Sequence, residues 1–80
     1  MREYIATFHT HLAALMTSRG LTSRGVKAQM MPVPRKLSSS CGTCVRIFAK
    51  DANQDAMDAD VEAVYEKIGR EEYTQLMNAD

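Results

Sequence analysis

A small α+β sandwich is the fold class that this chain predicts, on three observations. Segments rich in β-branched and aromatic residues alternate their side chains in the manner of strands. One stretch between the first two such segments has helical composition and a cap residue at either end. A run holding both prolines and both cysteines then separates the second strand from the third. With 80 residues the chain has one modest core, so residues 1–80 are read as a single domain without a large internal substrate cavity.

Taken in order, Glu3 to His9 places Tyr4, Ala6 and Phe8 on one side and Ile5, Thr7 and His9 on the other. Both sides are partly apolar, which predicts a central strand. Thr10 offers a cap hydroxyl to a helix that begins with His11, Leu12, Ala13, Ala14 and Leu15, and Gly25 is placed to end it, giving a helix over about residues 11–23. Gly20 and Thr22 weaken its last turns. Val26, Ala28 and Met30 alternate with Lys27, Gln29 and Met31 in a second strand, and Cys44 to Ala49 forms a third, with Val45 and Ile47 opposite Arg46 and Phe48. Asp51 to Asp58 has a cap candidate and alanines but little apolar surface, and predicts a short, shallow helix at best. Val61, Val64, Tyr65 and Ile68 fit helical spacing, yet the β-branched content and Gly69 favour a strand that turns into Tyr73 to Met77. Strand, helix, strand, strand, helix, strand is the split βαββαβ order of ferredoxin-like sandwiches. Such a fold brings the end of the first strand, the helix start and the cysteine-containing loop to one end of the sheet.

Charge narrows the function classes. The formal net charge is zero, but residues 1–50 hold eight Lys and Arg against Glu3 alone, and residues 51–80 hold Lys67 and Arg70 against nine acids. The two halves are expected to pair within one domain, leaving the cysteines in the basic half, where positive neighbours favour a thiolate. No basic run or aromatic platform accompanies the charge, so no nucleic-acid partner is expected. Apolar runs are only a few residues long, so neither is a membrane. Two cysteines are too few for a secreted disulfide scaffold, and Met1-Arg2-Glu3-Tyr4 opens on strand-like residues without a cationic and apolar leader. A cytoplasmic, reducing setting follows as the expectation, and the small core with an unsheltered sheet face favours a homodimer.

The reactive groups gather in Met31-Pro32-Val33-Pro34-Arg35-Lys36-Leu37-Ser38-Ser39-Ser40-Cys41-Gly42-Thr43-Cys44-Val45. The prolines fix φ and bias their predecessors toward extended backbone, so the chain leaves the second strand stiffly instead of closing a tight hairpin. Three serines then lead into a C-x-x-C, for which three uses stand open. A thiol-disulfide pair is one, although redox motifs of the thioredoxin kind open a helix whereas Cys44 opens a strand. A zinc or copper module is the second: Cys41 and Cys44 supply half of a tetrahedral set, and His9 and His11, the only histidines, complete it. Covalent carriage is the third. A nucleophilic Cys41 accepts a sulfur or selenium atom from a donor's persulfide or selenide, while Arg35, Lys36, the Ser39 and Ser40 hydroxyls and the Gly42 amide offer donors to the terminal anion. Cys44 would then release or protect the cargo, with His9 and His11 as accessory groups, and no cofactor is required.

Three segments carry a resemblance. Tyr4-Ile5-Ala6-Thr7-Phe8-His9-Thr10-His11, then Met31-Pro32-Val33-Pro34-Arg35 with Ser39-Ser40-Cys41-Gly42, and Val61-Glu62-Ala63-Val64-Tyr65 resemble the small prokaryotic family of putative Se/S carrier-like proteins. The resemblance covers nearly the whole chain. It implies a carrier rather than an enzyme with turnover, with the family's shared cysteine at Cys41 and a more variable position at Cys44. The partners it implies are a sulfur or selenium donor protein, such as a cysteine desulfurase, and an acceptor protein.

Overall fold

The computed structural model describes residues 1–78. Its elements are β1 (Arg2–Phe8), α1 (His11–Ser23), β2 (Lys27–Pro32), β3 (Thr43–Ala49), β4 (Val61–Lys67) and β5 (Tyr73–Asn78), with a 3-10 turn at Gln54–Ala56 between β3 and β4. The strands form one antiparallel sheet in the order β2-β3-β1-β4-β5. β1 lies in the middle because both of its faces are apolar: Tyr4, Ala6 and Phe8 are buried toward α1, and Ile5 and Thr7 are buried on the opposite side.

The chain is thus a small α+β domain, with two departures from the expected four strands and two helices. Among the described residues α1 is the one α-helix, since the Asp51–Asp58 stretch tightens only into the 3-10 turn. Asp51 accepts a hydrogen bond from the Asn53 amide at 2.9 Å, and Asn53 adopts a left-handed φ of 56°, which interrupts any helix before it starts. Only Ala52, Ala56 and Met57 of this stretch reach the core, too little apolar surface to hold a longer helix in place. In the other departure, Tyr73–Asn78 returns antiparallel to β4 and adds a fifth strand at the edge.

α1 keeps its expected ends. The Thr10 side chain accepts from the Ala13 amide at 3.1 Å, and its hydroxyl donates to Asp60 at 3.1 Å, tying the helix start to the segment before β4. At the other end Gly25, with φ 83°, lets its own amide reach the Thr22 carbonyl and the Val26 amide reach that of Leu21, each at 3.0 Å. Gly20 and Thr17 do not break the helix. Thr17 is buried and its oxygen accepts from the Asp58 amide at 3.0 Å, so this polar residue anchors the loop that replaces the second helix.

The helix covers one face of the sheet and seals a core of Phe8, Leu21, Val45, Ile47 and Val64 against Ala13 and Ala14. Fully burying side chains of this size contributes roughly 1.5–3 kcal/mol each. The opposite face carries no helix, yet Ile5, Thr7, Cys44 and Ala63 are buried there. Residues 33–42 make a long excursion from β2 to β3, closed at its base by the Val33 amide donating to the Gly42 carbonyl at 3.1 Å. This excursion turns onto the helix-free face, where Lys36 and Leu37 line an open cleft of about 330 Å³ with Tyr65, Glu71, Tyr73 and Gln75. Among the described residues no helix is long and apolar enough to cross a membrane.

Candidate functional site

Pairing of β1 with β3 ends at Thr7 and Cys44, one residue short of Phe8. The Phe8 carbonyl is therefore free on that side, and the excursion occupies it. Ser39 donates its hydroxyl to it at 3.0 Å, and the Cys41 thiol donates to it at 3.3 Å and to the Thr43 carbonyl at 3.4 Å. Ser39 Oγ and Cys41 Sγ lie 3.8 Å apart. Cys41 is half-buried at the rim of the sheet and, like Cys44, is a free thiol. Gly42 follows with φ 75°, a conformation that side chains rarely adopt, and this turn carries the chain from Cys41 into β3.

Cys44 lives in a different environment although only two residues intervene. It sits within β3, opposite Thr7 on one side and Met31 on the other, fully buried on the helix-free face. Its Sγ lies 3.8 Å from the Pro32 carbonyl. Burial, and then the neighbouring Cys41, push its thiol from the ordinary 9.0 up to about 12, so it stays protonated at any physiological pH. The opening of strand pairing explains the split: Thr43 already pairs with Pro32, which draws Cys44 into the sheet and leaves Cys41 outside it.

The remaining expected residues divide in the same way. His9, His11, Ser39, Ser40 and Gly42 join Cys41 at one end of the sheet. His9 Nδ1 lies 3.7 Å from Glu62 Oε2, and His11 Nδ1 lies 3.4 Å from Thr43 Oγ1. The Ser40 hydroxyl and amide both turn away from the thiol to the Glu62 carboxylate, at 2.7 and 3.2 Å. Arg35 and Lys36 are exposed in the excursion, and among the described residues no hydrogen bond or ion pair joins them to Cys41. The set Cys41, Cys44, His9 and His11 does not converge: one thiol is in the sheet, one faces backbone carbonyls, and each imidazole is turned to a different oxygen. Among the described residues no three His, Cys, Asp or Glu side chains are grouped to hold a metal ion.

Sequence reasoning missed Glu62 and the Phe8 carbonyl. Burial by itself would raise the Glu62 carboxyl, but the Ser40 hydroxyl and amide, then His9 and Ser39, outweigh it and hold this carboxyl below the usual range. Glu62 is placed by an irregularity: β1 and β4 pair Thr7 with Ala63 and Phe8 with Val61, so Glu62 is the extra residue of a β-bulge. Its signal in the sequence was only its membership of the Val61–Tyr65 segment.

A family model described as putative Se/S carrier protein-like matches residues 3–68 of this chain. The chain belongs to that family. The match spans β1 through β4 and stops before β5, so the fifth strand lies outside it. The uncharacterized protein YtiA of Escherichia coli (strain K12) is similar, at 29% identity over 45 residues, covering 56% of this chain and 53% of YtiA. The chain thus spans about half the length of the curated relative it matches. No solved structure matches it.

Proposed function

We propose that this protein carries sulfur or selenium as a persulfide or selenosulfide on Cys41. One observation carries the reading: within a family described as Se/S carrier-like, Cys41 is the thiol at the sheet rim, while the other cysteine is sealed in the sheet. Loading is a sulfur transfer between thiols. The Cys41 thiolate attacks the outer sulfur of a donor persulfide, the donor's S–S bond breaks, the donor cysteine leaves as a thiolate, and Cys41 retains the new S–S bond. Delivery repeats the step with an acceptor nucleophile, and Cys41 is the leaving thiolate. Selenium follows the same course from a donor selenosulfide.

For either step Cys41 Sγ turns away from the carbonyls of Phe8 and Thr43, which are acceptors and offer nothing to an anion. In the turned position the terminal atom would take hydrogen bonds from Ser39, released from the Phe8 carbonyl, and from the Gly42 amide, while Arg35 and Lys36 contribute through the length of their side chains. Cys44 is assigned to the core: resolving the persulfide would require it to attack Cys41 Sγ and expel hydrogen sulfide, and a buried thiol held near 12 is a slow nucleophile. The partners are a donor such as a cysteine desulfurase and an acceptor protein, in a reducing compartment such as the cytoplasm. The fold is read as a ferredoxin-like sandwich that has exchanged its second helix for a 3-10 turn and added an edge strand, a reading supported by β3 lying between the strands of the β1-α1-β2 unit.

The test is intact mass spectrometry without reductant, after incubation with a cysteine desulfurase and cysteine. One added sulfur on the native protein and none on Cys41→Ser is the expected result. No adduct on the native protein, under conditions that load a known carrier, would overturn the proposal.

A further inference from the structure

The β-bulge in β4 has a consequence for the thiol. In a regular ladder Val61, Glu62 and Ala63 would alternate across the sheet, but the bulge lets Val61 pack on the core while Glu62 reaches the excursion. There the two carboxylate oxygens take the Ser40 amide at 3.2 Å and the Ser40 hydroxyl at 2.7 Å. Ser40 precedes Cys41 in the chain, and Ser39 on its other side is bonded to the Phe8 carbonyl at 3.0 Å. The backbone that carries Cys41 against its two carbonyl acceptors is therefore pinned on β1 through Ser39 and on β4 through Ser40. The second pin is charge-assisted and has His9 alongside at 3.7 Å.

We infer that Glu62 is a positioning residue for Cys41: its carboxylate, aimed by the bulge, clamps Ser40 and holds the thiol in the docked orientation against the Phe8 and Thr43 carbonyls. The clamp shields the unloaded Cys41 thiol from adventitious disulfides and other electrophiles until the Ser40 bonds are released. A donor or acceptor that engages Glu62 or Ser40 opens the site by competing for those bonds. The inference rests on the reading that Cys41 is the carrying thiol, but the clamp itself is measurable on the unloaded protein.

The experiment is the second-order rate of reaction of Cys41 with a dithiodipyridine, in the native chain and in Glu62→Ala, Glu62→Gln, Ser40→Ala, the Glu62→Ala/Ser40→Ala double variant and Glu66→Ala. Glu66 serves as control because it is another β4 carboxylate, paired with Arg2 at 3.7 Å and away from the loop. Loss of two hydrogen bonds to a charged group is expected to speed the reaction about tenfold in Glu62→Ala. Glu62→Gln keeps an acceptor for the Ser40 amide and, in the same shape, offers an amide N–H that the Ser40 hydroxyl can accept, so it should stay within about threefold of the native rate. The double variant should be no faster than Glu62→Ala, since both changes remove the same contact. An unchanged rate in a folded Glu62→Ala, or an equal acceleration in Glu66→Ala, would overturn the inference. Failure of sulfur loading with the rate pattern intact would instead count against the carrier reading and leave the clamp in place.

Discussion

Cys41 and Cys44 share a motif and differ in almost everything else. Cys41 lies outside the strand ladder, half-buried, with its thiol on two backbone carbonyls and a serine hydroxyl beside it. Cys44 lies inside the ladder, fully buried between Thr7 and Met31, with its thiol pushed up to about 12 by burial and by its neighbour. Two cysteines separated by two residues thus sit in different environments, and the point at which strand pairing begins decides which thiol lies at the rim and which in the core. Here pairing begins at Thr43, and the line between site and core falls between the two cysteines.

This contrast can be broken by experiment, and the largest expected difference is kinetic. Timed alkylation of the native protein, followed by peptide mapping, should modify Cys41 on the order of a thousandfold faster than Cys44, because Cys44 waits for the sheet to open locally. Comparable rates would erase the distinction. The next effect appears in alkaline solution. The folded Cys44 thiol keeps its proton between 9.0 and about 12, whereas the unfolded chain loses it over that interval. The stability owed to this group is therefore complete below pH 9.0 and falls as pH rises toward 12. Urea midpoints measured across this window should decline more steeply in the native protein than in Cys44→Ala. Parallel slopes would show that the buried thiol does not contribute.

Smaller effects sharpen the same contrast. Cys44→Ala removes a packed sulfur from the sheet and should cost about 1–2 kcal/mol in denaturant unfolding. Cys41→Ala, at the rim, should stay within about 0.5 kcal/mol of the native value. Reversal of that order would place the structural cysteine at the wrong position.

Much of the architecture was legible before the structure, and the reasons are local. Two-residue alternation marked β1, β2 and β3, β-branched content and Gly69 marked β4 against a helical spacing, and Thr10 and Gly25 marked the ends of α1 because caps are short-range chemistry. The second helix failed where composition already warned of it, in an alanine and aspartate stretch without apolar surface. Its absence is completed by the left-handed Asn53, which no propensity scale encodes. The strand at Tyr73–Asn78 depended on finding an edge on β4, a tertiary event.

In the site, Cys41 stood out through its serines and glycine. Its neighbour in space, Glu62, did not, because a bulge exists only relative to a partner strand. Adjacency in sequence marks Arg35 and Lys36 as anion donors, and the excursion leaves both exposed, with Lys36 on the cleft beside Tyr65 and Tyr73. The histidines reached the expected end of the sheet and met oxygens there rather than sulfur.

The central claim is that one cysteine carries and the other packs. Its most direct test is to load the native protein and Cys44→Ala with a desulfurase and cysteine, trap the products without reductant, and map the added sulfur by peptide mass. The account expects the extra sulfur on the peptide's Cys41 in both proteins, at equal occupancy. Extra sulfur on Cys44, or loss of loading in a folded Cys44→Ala, would contradict it.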